Sequence, residues 1–311
     1  MPTESKSIPE RIVDALYKLA GSHPHARPVH AKGVVCRGTF RASADAPRMS
    51  RAELFRGQSV PATIRFANAS GDPAVHDGQP NVRSMAVKLE VPGAKPADIL
   101  ANTVEGFPAR TPEEFLAFLE AQLPDPATGK PAADAVPRFL ESHPHTKAFI
   151  GRLMARPVPA SYGTAVYHAG NALRFTAADG SSRFGRYHWI PEAGESFVSP
   201  EAGALRAPNF LRDELAERLA RGPVAFRLTL QLAAAGDPTD DPSALWPADR
   251  PVTDLGRLEV TAISPTSAAD EQRLIFDPAN LPDGIELSAD PILLARSPAY
   301  GASYTRRHSG G

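Results

Sequence analysis

Apolar and polar side chains alternate along stretch after stretch of this chain, a period of two that commits much of it to antiparallel sheet. Residues 33–42, 61–67 and 83–91 read as strands. In the last of these, Met85, Val87 and Leu89 alternate with Ala86 and Lys88, so one face is buried. A long two-strand unit spans 162–190 and turns at Ala178-Asp179-Gly180, an Asp-Gly hairpin signal. Strands at 223–233 and 255–263 complete the set. So many long antiparallel strands leave open edges unless the sheet closes into a barrel. Helices interrupt the pattern. Residues 9–21 place Ile12, Val13, Leu16 and Leu19 at helical spacing and stop at Gly21. Residues 112–122 and 134–155 follow, the latter with Phe139, Phe149 and Leu153 on its apolar side. Another helix, 208–221, lines up Leu211, Leu215 and Leu219. A proline-punctuated wrap, 265–288, leads into a short final helix. With no internal repeat and no linker, the expectation is one α+β domain over 1–311, a closed antiparallel barrel with helical insertions.

Composition narrows what such a domain can do. The 311 residues suffice for a deep core, and a net charge of −1 gives no field that would recruit nucleic acid or an anionic membrane. One cysteine, Cys36, excludes an intrachain disulfide and fits a reducing compartment. Glu10, Arg11, Asp14 and Lys18 break up any secretory apolar region, and no run approaches the roughly 18 apolar residues of a membrane span. A soluble, cytoplasmic protein is expected.

Chemistry first shows near the C-terminal end, where Arg296 stands four positions ahead of Tyr300. On one helical turn the guanidinium sits beside the phenol oxygen and favours its anion, a hard ligand suited to ferric iron. Other segments read Arg27-Pro28-Val29-His30-Ala31-Lys32-Gly33, Arg65-Phe66-Ala67-Asn68-Ala69-Ser70-Gly71 and Asp98-Ile99-Leu100-Ala101-Asn102-Thr103, followed by Phe107, Arg110 and Phe115. Later come Ser161-Tyr162-Gly163, Phe184 to His188, Leu245-Trp246-Pro247 and the run Phe276 to Glu286. In order and in register from about residue 25 to 304, these segments resemble the catalase family. That family carries Arg-x-x-His-Ala-Lys-Gly, Arg-Phe-Ser-Thr-x-x-Gly, Asp-Leu-x-x-Asn-Asn-Thr and Arg-x-Phe-x-Tyr-x-Asp-Thr.

The resemblance implies an eight-stranded barrel with haem b buried between it and the C-terminal helix. It makes His30 the distal acid–base group and Asn102 the amide donor to peroxide. Tyr300 becomes the phenolate iron ligand, held by Arg296, with Asp290 and His188 behind. Arg27 and Arg65 would pair with the haem propionates, and Phe107 and Phe115 would wall the pocket. Read without the resemblance, Asp290 is a helix-start residue, His188 a strand histidine and both phenylalanines core. Catalases continue past the tyrosine into a helical and sometimes a flavodoxin-like domain, whereas 11 residues follow Tyr300 here. The chain therefore looks like the short catalase-related peroxidases, which reduce peroxides with small organic electron donors and dismutate hydrogen peroxide weakly. A homodimer without membrane or nucleic-acid partners is expected. Alternatives are a true minimal catalase, a fatty-acid hydroperoxide isomerase or a non-catalytic haem module.

Three departures stand out. Ala67 replaces the family serine that bonds the distal histidine, leaving Asn68 or Ser70 to hold His30. Pro298 falls between Arg296 and Tyr300, so it is expected to open the helix with Ser297 as cap. Ala302-Ser303 replaces the family's Asp-Thr. The pairs His23-Pro24-His25 and His143-Pro144-His145 lack the further ligands that a metal site needs.

Overall fold

The computed structural model describes residues 6–21, 23–125 and 128–308; the remaining positions of the expected 1–311 domain lie outside the described residues. Helix α1 (Ile8–Ala20) starts at a capping box, in which Ser7 N–H and Oγ both donate to the Glu10 carboxylate. Strand β1 (Gly33–Ala42), the short helix α2 (Ala46–Met49), β2 (Ser59–Asn68), β3 (Arg83–Leu89) and β4 (Ala97–Asn102) form the next block. Helices α3 (Pro112–Glu120), α4 (Ala135–Ser142) and α5 (Pro144–Ala155) come after it. Then follow β5 (Val158–Pro159), β6 (Tyr167–His168), β7 (Leu173–Thr176), β8 (Ser182–Pro191) and β9 (Phe197–Val198). Helices α6 (Pro200–Ala204) and α7 (Phe210–Arg221) lead to β10 (Val224–Leu232) and β11 (Val252–Ile263). The chain closes with α8 (Ser267–Arg273), β12 (Ile285–Leu287) and α9 (Pro291–His308).

Strands β10, β11, β1, β2, β3, β4, β6 and β8 pair in that order, and β8 pairs again with β10. The ring is an eight-stranded antiparallel barrel, as expected. Strands β7 and β12 extend from β8, and β5 pairs with β9 alone. The Asp179-Gly180 turn does join β7 to β8, with Gly180 at φ 85°.

Alternation along β2–β4 sorts core from site. Ile64, Phe66, Met85, Val87, Ile99 and Ala101 point inward and join a barrel core with Trp189, Phe226 and Leu228. Their neighbours point outward, and the register sets them in rows: Arg65 opposite Ala86 opposite Leu100, and Ala67 opposite Ser84 opposite Asn102. Directly opposed residues in antiparallel strands share a face, so these six tile one outer patch of the barrel wall. A smaller apolar cluster of Ile12, Ala15, Leu116 and Leu119 fastens α1 to α3 beside that patch.

Three expectations change. The helix expected over 134–155 is broken at His143, whose φ −127° and ψ 74° leave the helical region because Pro144 follows it. The wrap contains a helix, α8, whose buried Asp270 accepts a hydrogen bond from the hydroxyl of Thr266, just before the helix. The final helix is long, and Pro298 is inside it rather than at its start; Pro291 opens it, with Asp290 Oδ1 accepting from the Ile292 and Leu293 amides. Ser297 Oγ donates to Asp277 at 2.5 Å instead of capping. Pro298 and Leu294, whose carbonyl the proline cannot serve, are both exposed, so the helix tolerates the lost bond on its wet side.

Candidate active site

A cavity of about 300 Å³ lies against the outer patch of β3–β4, roofed by α9 and edged by α1 and residues 274–276. The cavity is lined by His30, Asn102, Phe107 and Phe115, together with Arg296 and Tyr300 from α9 and Arg27, Arg65 and Arg307. Of the ten residues singled out from the sequence, eight therefore meet here; Asp290 and His188 do not line it.

His30 reaches the cavity from the segment before β1. Its backbone is in the left-handed region, φ 59°, which costs a non-glycine residue energy and persists only when its surroundings fix it. Arg65 Nη2 donates to the His30 carbonyl at 2.7 Å, and the Ala31 amide donates to Ser70 O at 2.8 Å. Three residues on, a Cβ at Gly33 would fall 2.5 Å from Arg65 Nη2, so only glycine lets the arginine cross there. The expected holders of the ring are occupied elsewhere: Asn68 donates to Asp77 and accepts from Tyr162, and Ser70 Oγ accepts from Asp72 N–H. Ser84 Oγ lies 3.0 Å from His30 Nδ1 instead. Burial, reinforced by Arg65, Arg27 and Arg296, pulls His30 down to about 3, so the imidazole is neutral. Asn102 ends β4 next to Ser84, and the Phe107 and Phe115 rings meet at 5.0 Å.

From α9, Arg296 donates to Tyr300 Oη from Nε at 3.1 Å and from Nη2 at 2.8 Å. Its remaining arm, Nη1, donates to Asn171 Oδ1 at 2.6 Å, and Asn171 Nδ2 donates to Asp290 Oδ2 at 2.6 Å. Asp290 thus caps the helix and anchors the chain of bonds behind the phenol. His188, expected in that chain, bonds His168 ring nitrogen to ring nitrogen at 2.9 Å. The register explains this, since His168 stands opposite both Asn102 and His188. Asn171 carries no local sequence signal; it sits in the link between β6 and β7 and is recognisable only in space.

Guanidiniums crowd the cavity rim. Arg27 and Arg65 both bond Glu271, and Arg27 Nη2 and Arg307 Nη2 both donate to Leu274 O. Arg307 Nε is buried without a hydrogen-bond partner among the described residues. Burial, then repulsion from Arg65 and Arg307, pulls Arg27 down to about 8. Three cations around one carboxylate leave a surplus of positive charge facing the cavity. Arg307 escaped sequence reasoning, although its place two turns beyond Tyr300 on one helix face could have revealed it.

A family model for catalase matches residues 7–310, and the chain belongs to the catalase family. It is 40% identical to a catalase-related peroxidase of Mycolicibacterium paratuberculosis, over 96% of this chain and 94% of the relative. A catalase-related peroxidase of Synechococcus elongatus is 33% identical over 97% of this chain and 89% of its own. In fold, a bacterial catalase superposes with a TM-score of 0.82 at 22% identity, and catalase A from Saccharomyces cerevisiae with 0.81 at 22%. This chain is covered to 96% in both, and it spans 60% and 64% of theirs.

Proposed function

We propose that the chain is a haem peroxidase, reducing hydrogen or organic peroxides at the expense of small organic electron donors, with residues 1–311 acting as one haem-binding unit. The observation that carries this reading is one cavity lined both by a tyrosine oxygen that accepts two hydrogen bonds and by a neutral histidine beside an asparagine. The residues present fit a haem. The surplus of rim cations, with an Arg307 Nε unpartnered among the described residues and a depressed Arg27, calls for about two more carboxylates, as the propionates of haem b would supply. Walls that combine Ala86, Leu100, Ile292 and Ala299 suit a flat apolar ring.

Bound there, the iron would supply the redox chemistry that splits the peroxide O–O bond. The chain's part is positional and protonic. Tyr300 Oη would ligate the metal, with the two Arg296 N–H groups favouring its anion. His30 Nε2, which accepts and donates no hydrogen bond among the described residues, would take the proton from the near peroxide oxygen and return it to the far one. A ring held neutral is free to accept that proton. Asn102 would donate its amide to the same oxygens without titrating. Phe107 and Phe115 exclude water from that side, while the apolar residues Ile12, Val13 and Leu16 of α1 line the rim. The two similar relatives named above as catalase-related peroxidases support peroxidation over dismutation. The buried lone Cys36 fits cytoplasmic residence.

The test compares oxidation of an aromatic donor with oxygen release from hydrogen peroxide in the hemin-loaded protein. Donor oxidation should dominate, and His30→Ala should cost it ~10²–10⁴-fold with hemin retained. Oxygen release as the dominant activity would turn the reading to a true catalase.

A further inference from the structure

We propose that Ser84 is the positioning residue for His30, its hydroxyl standing one strand over from Ala67 and fixing which imidazole nitrogen faces the cavity. The inference rests on the cavity being the haem site, and it adds to that reading a residue which the chain's motifs do not single out.

The backbone at His30 is already pinned, by Arg65 on its carbonyl and by Ser70 on the next amide. What remains free is the ring itself: its rotation and its tautomer. Ser84 Oγ meets Nδ1 at 3.0 Å and is the one side-chain partner of that ring among the described residues. If Nδ1–H donates to Oγ, the lone pair is confined to Nε2, the nitrogen that a proton acceptor must turn to the cavity. Without the hydroxyl, a neutral imidazole would populate both tautomers and rotate.

Register makes Ser84 suited to the task. It is directly opposite Asn102 on one side and Ala67 on the other. The same strand that holds His30 therefore sits beside the amide donor, so the two groups facing the cavity are indexed to one another. Ala67 is fully buried and shares that face with Ser84, with Cβ atoms of opposed residues ~5 Å apart. A hydroxyl placed on residue 67 would thus approach the same ring from the neighbouring strand. The prediction is reciprocal: either position can hold His30, and one of them must.

Two readouts test this in the full-length chain. Long-range proton–nitrogen correlation of ¹⁵N-histidine protein, without hemin, should show His30 as the Nδ1–H tautomer in the native sequence. Ser84→Ala should give a mixture of tautomers, and Ser84→Thr should keep the native signal. In hemin-loaded protein, cyanide association, which needs a proton acceptor over the iron, should slow ~10-fold in Ser84→Ala and recover to within ~3-fold in Ser84→Ala/Ala67→Ser. Unchanged His30 nitrogen signals in Ser84→Ala, or a slowed cyanide reaction that Ala67→Ser does not restore, would overturn the assignment. The nitrogen signals decide it even for a chain that takes up no hemin, a result that would count against the haem reading alone.

Discussion

Arg296 spends two of its N–H groups on the single oxygen of Tyr300, one helical turn away, and its remaining arm on Asn171. The guanidinium is therefore locked in direction, and the lock runs on through Asn171 to the buried carboxylate of Asp290. Asn171→Leu should strand Arg296 Nη1 and Asp290 Oδ2, at a cost of about 1–3 kcal/mol. Urea unfolding of the hemin-free protein measures it; an unchanged midpoint would show that the chain of bonds contributes nothing.

The rim arginines make a charge prediction. Hemin should bind at least ~10-fold more tightly than its dimethyl ester, equivalent to about 1.4 kcal/mol, because only free propionates would pair with Arg27, Arg65 and Arg307, which line the cavity. Glu271→Gln should destabilise the hemin-free protein, since it removes the carboxylate that both Arg27 and Arg65 bond. The same change should tighten hemin. Equal affinity for hemin and its ester would place the propionates elsewhere.

Acid should loosen the fold through three histidines kept neutral by burial. His30 and His168 are pulled down to about 3 and His188 to about 4. An unfolded histidine titrates near ~6.5. Between those values the unfolded chain binds more protons than the folded one, so stability falls as pH drops from ~6.5 toward ~3. Each contributes on the order of 1 kcal/mol per pH unit. The slope of urea midpoint against pH in the hemin-free protein should be shallower in His168→Asn than in the native sequence, and an equal slope would contradict this.

Gly33→Ala should cost about 1–3 kcal/mol, since its Cβ would lie 2.5 Å from Arg65 Nη2 and 2.8 Å from Phe66 O. Because Arg65 also holds the His30 carbonyl, the variant should lose hemin affinity along with melting temperature. Loss of neither would mean that the crossing relaxes freely.

Much of this was legible in the residues. Period-two alternation located most barrel strands, because one face of each is core; β4 was found only as a motif, its six residues too short to stand out. Short motifs singled out His30, Asn102, Arg296 and Tyr300, and the fold brings all four to one cavity. What escaped depends on register. Ser84 matters through its pairing with Ala67 and Asn102, His188 turned to His168 through a row across β4, β6 and β8, and Asn171 reached Arg296 from 125 positions away. Pro298 misled because a proline in a helix interior is costly, and only its exposure on α9 shows why it is tolerated.

On the proposed reading Tyr300 would hold iron in the cavity that His30 also lines. Optical and electron paramagnetic resonance spectra of the hemin-loaded native chain and of Tyr300→Phe test it most directly. A high-spin ferric, tyrosinate-type spectrum that is lost or replaced in Tyr300→Phe, with hemin content reduced, is the predicted result. An identical spectrum and hemin content in the two proteins would contradict it.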